Sequence, residues 1–241
     1  MSRDYELELI RRVAFIQGML TKAGADGVVY GNSGGKDSAL VGILCKKACD
    51  NVLGVMMPCQ SRRNFAEDIE DGLAVARQFQ IETITVDLSD VKTLLADRIQ
   101  PNVQLGGMAG ANLAPRLRMT TLYAIAQSRN SLVAGTGNRS EGYVGYFTKW
   151  GDGAHDFNPI ADLTVTEVYE FLRFLQAPDS IIAKAPSAGL FEGQTDEKEM
   201  GLTYAQIDDY LLNGKGEPDV IEKIERMHRK SEHKRHLPER L

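Results

Sequence analysis

Gly31-Asn-Ser-Gly-Gly-Lys-Asp-Ser38 is the stretch from which the fold of this chain is read. The apolar run Val28-Val-Tyr30 before it predicts a strand, and the residues after it predict a helix over 38–50. A glycine loop between a strand and a helix N-terminus turns backbone N–H groups and the positive end of the helix dipole toward an anion. Gly34 and Gly35 permit a close backbone approach, Ser33 and Ser38 add hydroxyl donors, and Lys36 adds a cation. Asp37 is out of place beside an anion unless a divalent cation lies between them, because hard cations take carboxylate and phosphate oxygens together. The spacing is not that of a Walker A loop, since Asp37 separates Lys36 from Ser38, and no G-x-G-x-x-G opens the helix.

The 241 residues are 43% hydrophobic and 25% charged, a composition suited to one large α/β domain. A net charge of −5 disfavours a general nucleic-acid binder. No apolar run approaches the roughly 20 residues needed to span a bilayer, and the charged N-terminus lacks a signal-peptide core; the expectation is a cytoplasmic protein with no membrane partner. Cys45, Cys49 and Cys59 have no further ligands nearby in sequence for a zinc site and read as small buried thiols.

Working outward, apolar spacing predicts a helix over 4–23 that stops at Gly24, and strands over 51–57, 81–86 and 131–134. Helices are expected over 64–80, over 90–99 with Ser89 as cap, and over 112–130 with Pro115 in the first turn. Residues 104–110 read as a glycine-rich loop. Thr164-x-x-Glu167 and Thr203-x-x-Gln206 are capping boxes for two later helices, and Pro218 opens a last one with Ile221, Ile224 and Met227 on one face. The segment 184–201, without clear period, reads as a mobile lid. Strands alternating with helices imply a three-layer, doubly wound parallel sheet with helices on both faces. Ligands of such sheets sit beyond the carboxyl ends of the strands, where 31–38 and the second glycine-rich stretch, Gly135-Thr-Gly-Asn-Arg-Ser-Glu-Gly142, would meet.

The string Ser-Gly-Gly-x-Asp-Ser resembles the pyrophosphate loop of N-type ATP pyrophosphatases, which cut ATP between its α- and β-phosphates. Together with GTGNRSEGYVGYFTKWGDGAHDFNPIADL over 135–163, Ala114–Ala126, Lys184–Asp196 and the closing His233-Lys-Arg235, it resembles the ammonia-dependent NAD synthetases over most of the chain. The resemblance implies an adenine nucleotide alpha hydrolase-like fold and ATP-dependent amidation of nicotinic acid adenine dinucleotide (deamido-NAD) through an acyl-adenylate. It implies ATP contacts from Gly31, Asn32, Ser33, Gly34, Gly35, Lys36, Asp37, Ser38, Thr136 and Ser187, and Mg²⁺ ligation by Asp37 and Glu141. It assigns deamido-NAD contacts to Arg116, Lys149, Asp156, His233 and Lys234, and implies a homodimer.

No part of the 241 residues is left over for a glutamine-hydrolysing domain, so the expectation is a single domain using free ammonia. The residues name no base for ammonium. Val165 stands where many relatives carry an ATP-binding lysine, and Lys36, Lys184 or another cation would have to compensate, or nucleotide binding would weaken. The alternatives are another ligase of the same superfamily, or a nucleotide-binding module without turnover; intact Asp37, Glu141 and Lys149 weigh against the second.

Overall fold

A computed structural model describes residues 3–59, 65–183 and 196–240. Its centre is a sheet of four parallel strands, β1 (Gly27–Gly31), β2 (Val52–Met56), β3 (Glu82–Thr85) and β4 (Ser131–Ala134), in the order β3-β2-β1-β4. Val29 of β1 lies in register with Leu53 on one side and Val133 on the other. β1 and β2 are near-continuous apolar runs because helices cover both faces.

The first layer is built by α1 (Tyr5–Ala23), α2 (Lys36–Ala48), α3 (Phe65–Phe79) and α8 (Val165–Phe174), whose apolar sides meet Val28, Tyr30 and Val52 in the larger core. α1 starts where the Asp4 carboxylate accepts from the Leu7 amide at 3.1 Å, and it ends at Gly24, whose φ of 63° is costly for any side chain. Arg12 of α1 forks onto Asp162 at 2.7 and 2.9 Å, tying this helix to the loop before α8. The opposite face is covered by α6 (Leu113–Ser128), which packs on Val29, Leu53 and Val133; α4 (Ser89–Ile99), none of whose side chains is buried, lies against α6.

Tyr30 fills the narrow space between β1 and α2. Its ring is fully buried, and a Cβ at Gly42 of α2 would collide with its hydroxyl, while one at Gly54 of β2 would lie 3.1 Å from it. Among the described residues the phenol has no hydrogen-bond partner.

A third cluster joins α7 (Arg139–Val144), α8, α10 (Asp196–Met200), α11 (Tyr204–Asn213) and α12 (Pro218–Lys230) around Ile207 and Ile224. Both expected capping boxes are present: Thr164 with Glu167, and Thr203 with Gln206. Other expectations are corrected. Ser89 is the first helical residue of α4 and not its cap, a position held by Leu88; the Asp87 carboxylate accepts from the Ser89 amide at 2.8 Å. Part of the glycine-rich 104–110 coils into a short helix, α5 (Gly107–Ala111), and α9 (Asp179–Ala183) was not anticipated. The end of the segment read as a lid is α10; its residues 184–195 lie outside the described residues. Cys45 and Cys59 are buried thiols and Cys49 is partly buried, none in a disulfide. Among the described residues, no helix is long and apolar enough to cross a membrane.

Candidate active site

From β1 the chain steps outward to β2 and β3, then returns to β4 on the other side of β1. The connections therefore diverge between β1 and β4, and a crevice opens beyond their carboxyl ends. A cleft of about 600 Å³ occupies it, large enough for a nucleotide. Gly31, Asn32, Ser33, Gly35, Lys36, Asp37 and Ser38 line one side, and Thr136 and Glu141 line the other.

The loop holds itself open. Ser38 Oγ lies 3.1 Å from Ser33 Oγ and donates to the Gly35 carbonyl at 3.0 Å. Gly34, at φ +70°, lies so close to the Asp68 carbonyl of α3 that a Cβ would strike it. Asn32 is buried; its amide donates to the Gly72 carbonyl at 3.1 Å, and its Oδ1 accepts from the Gly34 amide at 3.3 Å. Asn32 thus fastens the loop to α3 as well as bordering the cleft.

Asn138 joins the two strand ends. It caps α7 by accepting from the Glu141 amide at 3.0 Å, and the Glu141 carboxylate accepts from the Asn138 amide at 3.1 Å. The Asn138 Nδ2 donates across the crevice to Asp37 Oδ1 at 3.2 Å. This capping box brings Glu141 beside Asp37. Desolvation, and then the Asp37 charge, push the Glu141 carboxyl up to about 8. Two carboxylates forced together next to a phosphate loop suit a divalent cation, so Asp37 and Glu141 fit the Mg²⁺ site expected of them. Lys36 donates to the second Asp37 oxygen at 2.7 Å. Burial opposes its charge, but Asp37 and Glu141 outweigh that and raise its pKa.

The Lys36 ammonium lies 6.0 Å from the ring centre of Tyr169 and 5.6 Å from that of Tyr204. Val165 belongs to the same apolar cluster as both tyrosines and does not line the cleft. The buried Asp196 accepts from the Tyr204 hydroxyl at 2.9 Å.

Arg116, Lys149, His233 and Lys234 all border the cleft. Lys149 donates to the His233 carbonyl at 2.6 Å, and Lys234 donates to the Gly145 and Phe147 carbonyls, each at 2.7 Å. The closing basic run is thereby fixed to the loop after α7. Asp156 does not line the cleft: one carboxylate oxygen accepts from the Val133 amide at 2.7 Å and the other from the Tyr123 hydroxyl at 3.2 Å. Ser187 and Lys184 lie outside the described residues. Arg118, Asp152, Tyr169 and Asp196 line the cleft without having been singled out from the sequence. For Asp196 the offset of eight residues from Tyr204 gave no local signal; Arg118 was hidden beside the more familiar Arg116.

The NAD synthase family model matches residues 8–238. The NH(3)-dependent NAD(+) synthetase of Carboxydothermus hydrogenoformans is 47% identical over 99% of this chain and 98% of its own length. That of Archaeoglobus fulgidus is 43% identical over 98% and 96%. Among solved structures, the NMN synthetase from Francisella tularensis superposes with a TM-score of 0.94 at 36% identity, covering 100% of this chain and 99% of that one. The NH3-dependent NAD synthetase from Campylobacter jejuni superposes with a TM-score of 0.82 at 31% identity, each chain covered in full. With the sheet order, the Asp37-bearing loop and the length of these matches in agreement, the chain belongs to the NAD synthase family.

Proposed function

We propose that this enzyme amidates deamido-NAD to NAD with ATP and free ammonia, releasing AMP and pyrophosphate. The observation that carries the proposal is the junction made by Asn138, which sets Asp37 and Glu141 side by side at the mouth of the phosphate loop. A carboxylate is a poor electrophile because its leaving group would be oxide. Attack of the substrate carboxylate oxygen on the α-phosphorus of ATP expels pyrophosphate and forms an acyl-adenylate. Ammonia then attacks the acyl carbon, and AMP departs with the electron pair of the broken C–O bond. Mg²⁺ held by Asp37 and Glu141 would neutralise charge on the phosphate oxygens. The protein's own part is to position the reactants and offset charge. The amides and hydroxyls of 31–38 hold phosphate oxygens, with Thr136 and Ser187 as further ATP contacts. Lys36 supplies the cation that Val165 does not. Arg116, Lys149, His233 and Lys234 hold the pyridine nucleotide, Asp156 acts only through the backbone of β4 that it fixes, and the segment around 184–201 excludes water from the adenylate.

The test is a turnover assay with ATP, Mg²⁺, ammonium and deamido-NAD, following NAD and AMP. Asp37→Ala is expected to abolish turnover; ADP as product, or no NAD, refutes the proposal. A second reading has its own support, the TM-score of 0.94 to an NMN synthetase. On it, the acid amidated is the mononucleotide, and a parallel assay with nicotinic acid mononucleotide decides by the ratio of kcat/KM values. The chain is one domain on this reading, and it works as a homodimer. α4 has no buried side chain, and it leaves Val91, Leu94 and Leu95 exposed for a second copy to cover.

A further inference from the structure

α6 carries two arginines two residues apart, which therefore leave the helix in different directions. Arg116 is exposed, and its Nη2 reaches the Lys149 carbonyl at 3.4 Å. Arg118 turns inward, is partly buried, and lines the cleft beside the carboxyl end of β2. Its Nε donates to the Met57 carbonyl at 3.0 Å, which fixes the plane of the guanidinium. Among the described residues no hydrogen bond or ion pair engages either Nη of Arg118; Asp68 and Asp152 act on it only from a distance. Burial pushes its pKa down.

A guanidinium withdrawn from water without a carboxylate partner is unfavourable in isolation. Among the described residues, four of its five N–H donors are unspent, in a planar fork that matches two oxygens of one phosphoryl group. The direction of the nucleotide narrows the choice. The acids Asp37 and Glu141 stand at the β1–β4 crevice, which places the departing pyrophosphate there. β2 flanks β1 on its other side, so the remainder of ATP extends toward β2 and Arg118.

We propose that Arg118 binds the non-bridging oxygens of the nucleotide's α-phosphoryl group, the phosphate that AMP retains. This rests on the cleft being the ATP site proposed above, and it adds a binding residue to that site.

Calorimetric titration of the full chain with AMP alone, and separately with pyrophosphate, tests it without requiring turnover. Arg118→Met is expected to weaken AMP binding at least tenfold. Arg118→Lys, which keeps the charge and loses the fork, is expected to weaken it severalfold, and pyrophosphate affinity should change less than twofold in both. Unchanged AMP affinity overturns the assignment, as does an equal loss for pyrophosphate, or a loss confined to the pyridine-carboxylate substrate. Thermal melting reports folding; should the Met variant not fold, the Lys variant decides. AMP binding by the wild type with no amide formed would refute the proposed reaction and leave Arg118's role supported. No AMP binding by the wild type would overturn that role.

Discussion

Asn138→Ala removes the joint between the two strand ends, and its cost can be worked from the contacts it breaks. Asn138 is 2% exposed, so water does not replace what is lost. The cap of α7 goes with its Oδ1, at about 1 kcal/mol. The bond from Nδ2 to the Asp37 carboxylate goes too, at roughly 2 kcal/mol for a buried bond to a charged acceptor. A chain of this size loses about 2–4 °C of Tm per kcal/mol, so the expected fall is roughly 6–12 °C. Asn138→Ser separates the two contributions. Serine caps as well as asparagine, but it cannot reach Asp37, so its fall should be roughly 4–8 °C. Both variants free Asp37 and Glu141 from their fixed separation. Loss of a group that orients metal ligands weakens affinity by about 10- to 100-fold. Differential scanning calorimetry gives the melting temperatures, and Mn²⁺ titration followed by electron paramagnetic resonance gives the cation affinity. If the two variants melt together and both bind Mn²⁺ like the wild type, Asn138 is not the joint described.

Gly34→Ala meets the Asp68 carbonyl at a positive φ, and a destabilisation above about 2 kcal/mol is expected, with loss of ATP binding measurable by calorimetry. Val165→Lys places an ammonium in the cluster around Tyr204 and Ile207 beside the buried Lys36; it should lower Tm rather than tighten ATP binding, whereas Lys36→Met should raise the KM for ATP. A Val165→Lys protein with native Tm and a lower KM would refute this placement.

Much of the fold is legible in short-range chemistry. The strand Ser131–Ala134 is bounded by Asn130 and Gly135, and the two Thr-initiated capping boxes fix their helices to the residue. Glycine content misled at 104–110, because Met108 and the alanines support one helical turn despite three glycines. α7 is written in the sequence as a third capping box, Asn138-x-x-Glu141, but no helix is expected there from a stretch read only as a glycine-rich strand end. The cleft was less legible. Residues 31–38 and 135–142 each carried a local signature, while the inward turn of Arg118 depends on where α6 lies against β2, which no spacing along one helix encodes. Asp156 shows the converse: its carboxylate is occupied by the backbone of β4, a role that only the folded chain discloses.

The packing of Tyr30 has a consequence for how this family can vary. The ring occupies the space that side chains at positions 42 and 54 would need, so three residues far apart in sequence share one volume. Position 42 can gain a methyl group only in a lineage where position 30 has already become smaller, and each intermediate leaves either a clash or a hole beneath the phosphate loop. A side chain at position 42 should therefore arrive only together with a smaller residue at position 30, and one at 54 more readily with it. The lone phenol hydroxyl is the one part of Tyr30 that drift to phenylalanine can remove freely.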